Sequence, residues 1–186
     1  MKTITLIFIL QVLSFSAISQ SGTYEFINEI MESDIDTVHL IEEFNTLFPS
    51  PEYGKYFSKE GIKELWGPDL KTGKEWPSLQ FFLDHVNLEH FVAKADLEFA
   101  NRFPNNIDFE KLHGNFKKTS IHKLEKGYPT KSYIHISRPF FSCDGKWAMI
   151  SITSLISGGS GAETVFIYHQ KEGKWVLYHK LPLYLT

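Results

Sequence analysis

The sequence predicts an α+β protein: a helical amino-terminal half packed on a carboxy-terminal antiparallel β-meander of about four strands. Three observations predict it. From Ser132 to Leu181, β-rich runs are cut by Asp144-Gly145, Gly158-Gly159-Ser160-Gly161 and Glu172-Gly173, turn residues that reverse a strand tightly. Upstream, apolar residues recur at spacings of three and four. Aromatic residues make up 15% of the 186 positions, enough large rings for one sizeable core and too many for a disordered chain.

The elements follow in order. Lys2, an apolar run from Ile4 to Phe15, and the small residues Ala17 and Ser19 have the order of a signal peptide over 1–19, with cleavage before Gln20. The run, at about 12 residues, is shorter than the ~20 needed to span hydrocarbon. Residues 20–186 then form a single α+β domain, exported to the periplasm or the cell exterior, with no further membrane span.

Thr23 caps a short helix with Phe26, Ile27, Ile30 and Met31 on one stripe. Val38, Leu40, Ile41, Phe44, Leu47 and Phe48 suit a second helix ended by Pro49, although 37–41 also fits a strand. Residues 49–76 read as a surface connection with one helical turn from Lys59 to Trp66. Leu79, Phe82, Leu83 and Val86 form the next stripe. A further one runs from Leu88 to Phe103 after Asn87, a candidate cap. A short helix follows from Ile107 to Leu112, then a strand or linker from Phe116 to Leu124.

The turns register the meander. They set Ser142 opposite Trp147 and Arg138 opposite Ser151, with Pro139 marking an edge strand. They set Thr153 opposite Val165, Leu155 opposite Glu163, Val165 opposite His179, and His169 opposite Trp175. Alternation then sorts two faces. Tyr133, His135, Phe141, Ala148, Ile150, Ile152, Phe166, Tyr168, Val176 and Tyr178 form the face expected under the helices. The other face mixes Arg138, Ser142, Ser151, Thr153, Glu163, His169 and His179 with Met149, Ile167, Trp175 and Leu177.

That second face supplies the candidate ligand-binding residues Arg138, Thr153, Glu163, His169 and His179. A carboxylate diagonal to an imidazole can orient it, and an arginine can hold an anion. The plainer reading is a wet sheet face that carries such residues without purpose. His85 and His90 look like a zinc motif, but five residues on a helix is about 140° of rotation, so they cannot share a ligand face. Ser160 in Gly158-Gly159-Ser160-Gly161 imitates a nucleophile elbow, yet a strand follows where the elbow needs a helix. No metal or other cofactor is implied. Cys143 is the only cysteine, so no intrachain disulfide can form. Loss of Lys2 leaves 18 basic against 22 acidic residues, a net of −4, which argues against nucleic acid.

Ser137-Arg138-Pro139-Phe140-Phe141-Ser142, then Asp144-Gly145-Lys146-Trp147-Ala148 and Gly173-Lys174-Trp175, resemble the closing segment of an uncharacterised family of small secreted bacterial proteins. The resemblance covers about the last 50 residues and implies a compartment and a fold type, with no catalytic residue. The expected function is a non-enzymatic binding or accessory domain with a protein or small-molecule ligand. The alternative is a small periplasmic hydrolase using His179, Glu163 and Arg138 in one enclosed pocket. A third reading is an inhibitor- or immunity-type partner whose ligand is another protein.

Overall fold

A computed structural model describes residues 22–31, 37–44, 58–67, 77–90, 106–120, 132–156 and 161–183. The expected signal peptide, the helical stripe beyond residue 90 and the tip of the Gly-rich loop lie outside the described residues.

The sheet is larger than expected and the helical half is not observed. Seven strands form one mixed sheet: β1 (Val38–Ile41), β2 (Phe116–Thr119), β3 (Ser132–Ile136), β4 (Phe140–Phe141), β5 (Trp147–Ile156), β6 (Gly161–Lys171) and β7 (Lys174–Leu183). The order is β2-β1-β3-β5-β6-β7, with β4 beside β5. Among the described residues the amino-terminal half supplies only short helices: α1 over 22–31, α2 (Lys59–Trp66), α3 (Pro77–His85) and a turn at 88–90. The expected helix after Asp36 is strand β1, which pairs parallel to both β2 and β3. A parallel strand enclosed on both sides shows no polar alternation, so Val38, Leu40 and Ile41 join Phe44 in a pattern that imitates a helical stripe.

The helices that do form follow their stripes. In α1, Phe26 and Ile27 are fully buried. Ser58 caps α2 by accepting from the Gly61 amide at 3.0 Å, and Gly67 closes it at φ +70°, a conformation that suits glycine. Asn87 accepts from the His90 amide at 3.1 Å, the capping its position suggested.

Two irregularities correct the expected register. Ser137 interrupts β3 and β4. Its amide donates to the Ser151 carbonyl at 2.9 Å, and its hydroxyl accepts from the Ser151 amide at 2.9 Å, replacing a ladder carbonyl. Pro139 falls in this break, next to β4, for which the described residues give one partner, β5, whereas β3 is flanked on its other side by β1. The second irregularity is in β7. Glu172 and Gly173, at φ +51° and +79°, make a two-residue turn of the primed type, so Gln170, not His169, opposes Trp175. The ladder then shifts between Ile167 and Tyr168, and Ile167 opposes His179. A bulge of this kind turns two successive side chains toward one face, here Tyr178 and His179. On the β5–β6 hairpin, Thr153 opposes Glu163 and Leu155 opposes Gly161. A Cβ at Gly161 would sit 2.8 Å from the Ser154 carbonyl oxygen and the Leu155 side chain.

Both faces of the sheet are covered. Ala148, Ile150 and Tyr168 pack with Phe26 and Ile27 of α1, where Phe26 makes edge contacts with Phe141, Tyr168 and Trp175 at 5.1–5.4 Å. Trp147, Met149, Val165, Ile167 and Leu181 pack under Ile62, Trp66, Leu79 and Phe82 of α2 and α3. The face expected to be wet is therefore interior, which removes the open sheet as a contact surface. Each large side chain buried this way contributes ~1.5–3 kcal/mol.

Candidate functional site

The face beneath α2 and α3 carries the chemistry-bearing side chains, at two ends of different character. At one end β3, β5 and β6 align His135, Thr153 and Glu163 in a cross-strand row, with Ser151 on the same face two residues from Thr153. Glu163 is 3% exposed. The buried Ser151 hydroxyl donates to Glu163 Oε1. Burial pushes the Glu163 carboxyl above its usual range, partly offset by that hydrogen bond, because a charge in a low-dielectric setting loses its hydration. Burial likewise depresses His135, against a hydrogen bond to the Glu43 backbone. His135 Nε2 has no partner among the described residues. Burial biases both groups toward their neutral forms.

The other end is aromatic. His169 stacks on Trp147, centroids 4.2 Å apart and 19° between planes. Tyr178 meets Trp147 edge-on at 4.9 Å and 84°, and its hydroxyl donates to the Ser78 carbonyl at 2.7 Å, tying the bulge to α3. Phe81 of α3 stacks on His85 at 4.2 Å and approaches His169 and Tyr178, each at 6.3 Å. Trp147 is 2% exposed, whereas Phe81 is 43% and Val176, directly opposite His169, is 44% exposed. Offset and edge-to-face pairs of this kind add about 0.5–1.5 kcal/mol each beyond burial, so the exposed rings stand on a stiff base. Burial, and next to it the charge of Lys171, depress His169.

The five residues proposed from sequence do not converge. Thr153 and Glu163 are direct neighbours. Arg138 lies in the β3–β4 break with its guanidinium over the Phe44 ring, 4.6 Å from the centroid. His169 belongs to the aromatic end. His179 stacks flat on Trp66 at 3.9 Å and 1°, with its pKa lowered by burial. Its position opposite Ile167 is four residues along the ladder from Glu163, about 13 Å at a strand's rise. Among the described residues no group of three or more His, Cys, Asp or Glu is placed to hold a metal, and Cys143 is exposed.

Phe81, Val176 and Tyr178 were not singled out as a site by sequence, and His85 was considered only as a zinc ligand. Phe81 carried a readable signal: it is apolar yet out of phase with the Leu79, Phe82, Leu83 and Val86 stripe. Tyr178 shares this face with Val176 by alternation, but the expected pairing of His169 with Trp175 put both on the opposite face.

Comparison with known proteins yields a limited likeness. The chain is 30% identical over 136 residues to the chaperone protein HtpG of Borreliella burgdorferi, covering 69% of this chain and 20% of that protein. HtpG of Borrelia garinii subsp. bavariensis matches to the same extent, and that of Borreliella afzelii is 29% identical. The chain thus spans about a fifth of the length of the curated relatives it matches. No family profile and no solved structure matches it.

Proposed function

We propose that this chain is an exported, non-enzymatic binding domain whose contact surface is the aromatic end of the sheet, around Phe81 and Val176. The carrying observation is the pairing of two apolar side chains, each more than two-fifths exposed, with a stacked Trp147–His169–Tyr178 base that needs no rearrangement to receive a partner. Pre-ordered contact surfaces lose less entropy on association. The polar groups support the same reading from the other side, since Glu163, Arg138 and His179 each engage a different internal neighbour and share no point at which a substrate would meet all three. Export rests on the Lys2, Ile4–Phe15, Ala17, Ser19 pattern. Among the described residues no helix is long and apolar enough to cross a membrane. The matched relatives are chaperone proteins by name, which supports another polypeptide as the partner.

A displayed library of random peptides, selected on the mature chain, tests the surface. Selected peptides should compete with one another and weaken on Phe81→Asp. Peptides that bind Phe81→Asp unchanged would place the contact elsewhere.

A further inference from the structure

The rim of the aromatic end specifies what it takes. Two turns meet there, because the Gln170 amide donates to the Lys146 carbonyl at 2.8 Å and docks the 142–147 turn on the β6–β7 hairpin. These turns carry Lys146, Lys171 and Lys174, all exposed. None of the three enters the salt bridges found among the described residues, which join Lys111 to Asp108 and Lys118 to Glu42. Of the two acids on the turns, both exposed, Asp144 accepts within its own loop from the Ser142 hydroxyl at 2.6 Å and the Lys146 amide at 3.1 Å. Glu172 sits at the hairpin apex. Three lysines thus outnumber two acids on these turns, so among the described residues the exposed Phe81 and Val176 lie beside a net positive rim in a chain of net charge −3.

Resting on the reading of this end as the contact surface, we propose that its occupant is an acidic polypeptide segment bearing at least one large apolar side chain. The apolar side chain covers Phe81 and Val176, and the carboxylates reach Lys146, Lys171 and Lys174. Complementary charge of this kind steers encounter and selects partners. A second copy of this chain fits poorly, since a two-fold contact would set the same lysines against each other. A membrane surface is disfavoured because three lysines fall short of the ~4–8 that make a polybasic lipid-binding cluster.

Fluorescent peptides of about 12 residues that alternate Leu and Phe with Glu, with Lys or with Ser test this by anisotropy. The Glu peptide should bind about tenfold tighter than the Lys peptide, and should weaken between about 50 and about 300 mM salt as screening shortens. Combined Lys146→Glu, Lys171→Glu and Lys174→Glu should invert the order, with an unchanged circular dichroism spectrum. Equal binding of the Glu and Ser peptides, with Phe81→Ala weakening both, overturns the acidic partner but leaves the surface in place. Peptide binding indifferent to Phe81→Ala removes the surface and the partner together. Binding to vesicles of anionic lipid but to no peptide, abolished by the same charge reversals, overturns the polypeptide in favour of a membrane.

Discussion

The two ends of the face under α2 and α3 share strands, alternation and helical cover, yet treat polar groups in opposite ways. At the Glu163 end the polar side chains are enclosed with one another: Ser151 serves the carboxyl, the Glu43 backbone serves His135, and their ionisation is held toward neutral. At the Trp147 end polarity is confined to the rim, and the apolar surface runs without a break from the core through Trp147 to the exposed Phe81. Residue types that suggest chemistry therefore mark the structural end. The end proposed as the contact surface is built largely of rings that carry no chemical signature in sequence.

The largest expected effect breaks the base of the aromatic end. Trp147→Ala removes a buried ring shared by His169, Tyr178 and Phe82, and should cost about 3–5 kcal/mol in urea unfolding. A cost below about 1 kcal/mol would mean the stack is a surface ornament without a structural role. Next is Ser137→Ala, beside the polar end. The Ser151 amide would lose its acceptor in a fully buried place, which should cost about 1–3 kcal/mol. A neutral result would show that the strand break re-forms its ladder around a carbonyl.

A pH series sharpens the contrast in a way that no contact energy does. Glu163 has its folded pKa raised by burial, so its contribution to stability is fully present below the unfolded value near 4.5 and declines as pH rises through the folded value. His135 is shifted the other way; its contribution is present above 6.5 and is lost as pH falls through its depressed folded value. Glu163→Gln should remove the decline on the alkaline side, and His135→Gln the loss on the acid side, in urea midpoints measured from pH 4 to 8. Parallel profiles for the wild type and Glu163→Gln would show that the carboxyl is hydrated after all.

These regions were unequally legible in the sequence. The α1, α2 and α3 stripes and the turns at Asp144-Gly145 and Glu172-Gly173 carry local signals, and those elements form, although the second turn is one residue shorter than the expected register required. Strand β1 carries an ambiguous signal, since 37–41 fits a strand as well as the start of a helix, and the helical reading preferred there is the one the structure overturns. Sorting side chains by alternation grouped Ser151, Thr153 and Glu163 correctly with Met149 and Ile167. Whether that group faces water depends on where α2 and α3 land, which is tertiary. The bulge at Tyr178 has no residue signature, whereas the changed partner of His169 follows from the length of the Glu172-Gly173 turn, which local spacing alone did not fix.

The smallest expected effect on stability is the most discriminating. Phe81 lies out of phase with the buried stripe of α3, keeps 43% of its surface, and touches its neighbours through one stacked contact and three looser ones. Phe81→Ala should shift the unfolding free energy by only about 1 kcal/mol, because more than two-fifths of the side chain stays in water in the folded state and alanine favours the helix. The same substitution removes an aromatic anchor from the proposed contact, and truncating such an anchor commonly costs more than about 1 kcal/mol of binding. A residue whose loss is nearly silent in urea but weakens peptide binding at least about fivefold is kept for a partner. One whose loss unfolds the chain as Trp147→Ala does would instead belong to the core, and the exposed end of this face would then be only the place where the helices stop.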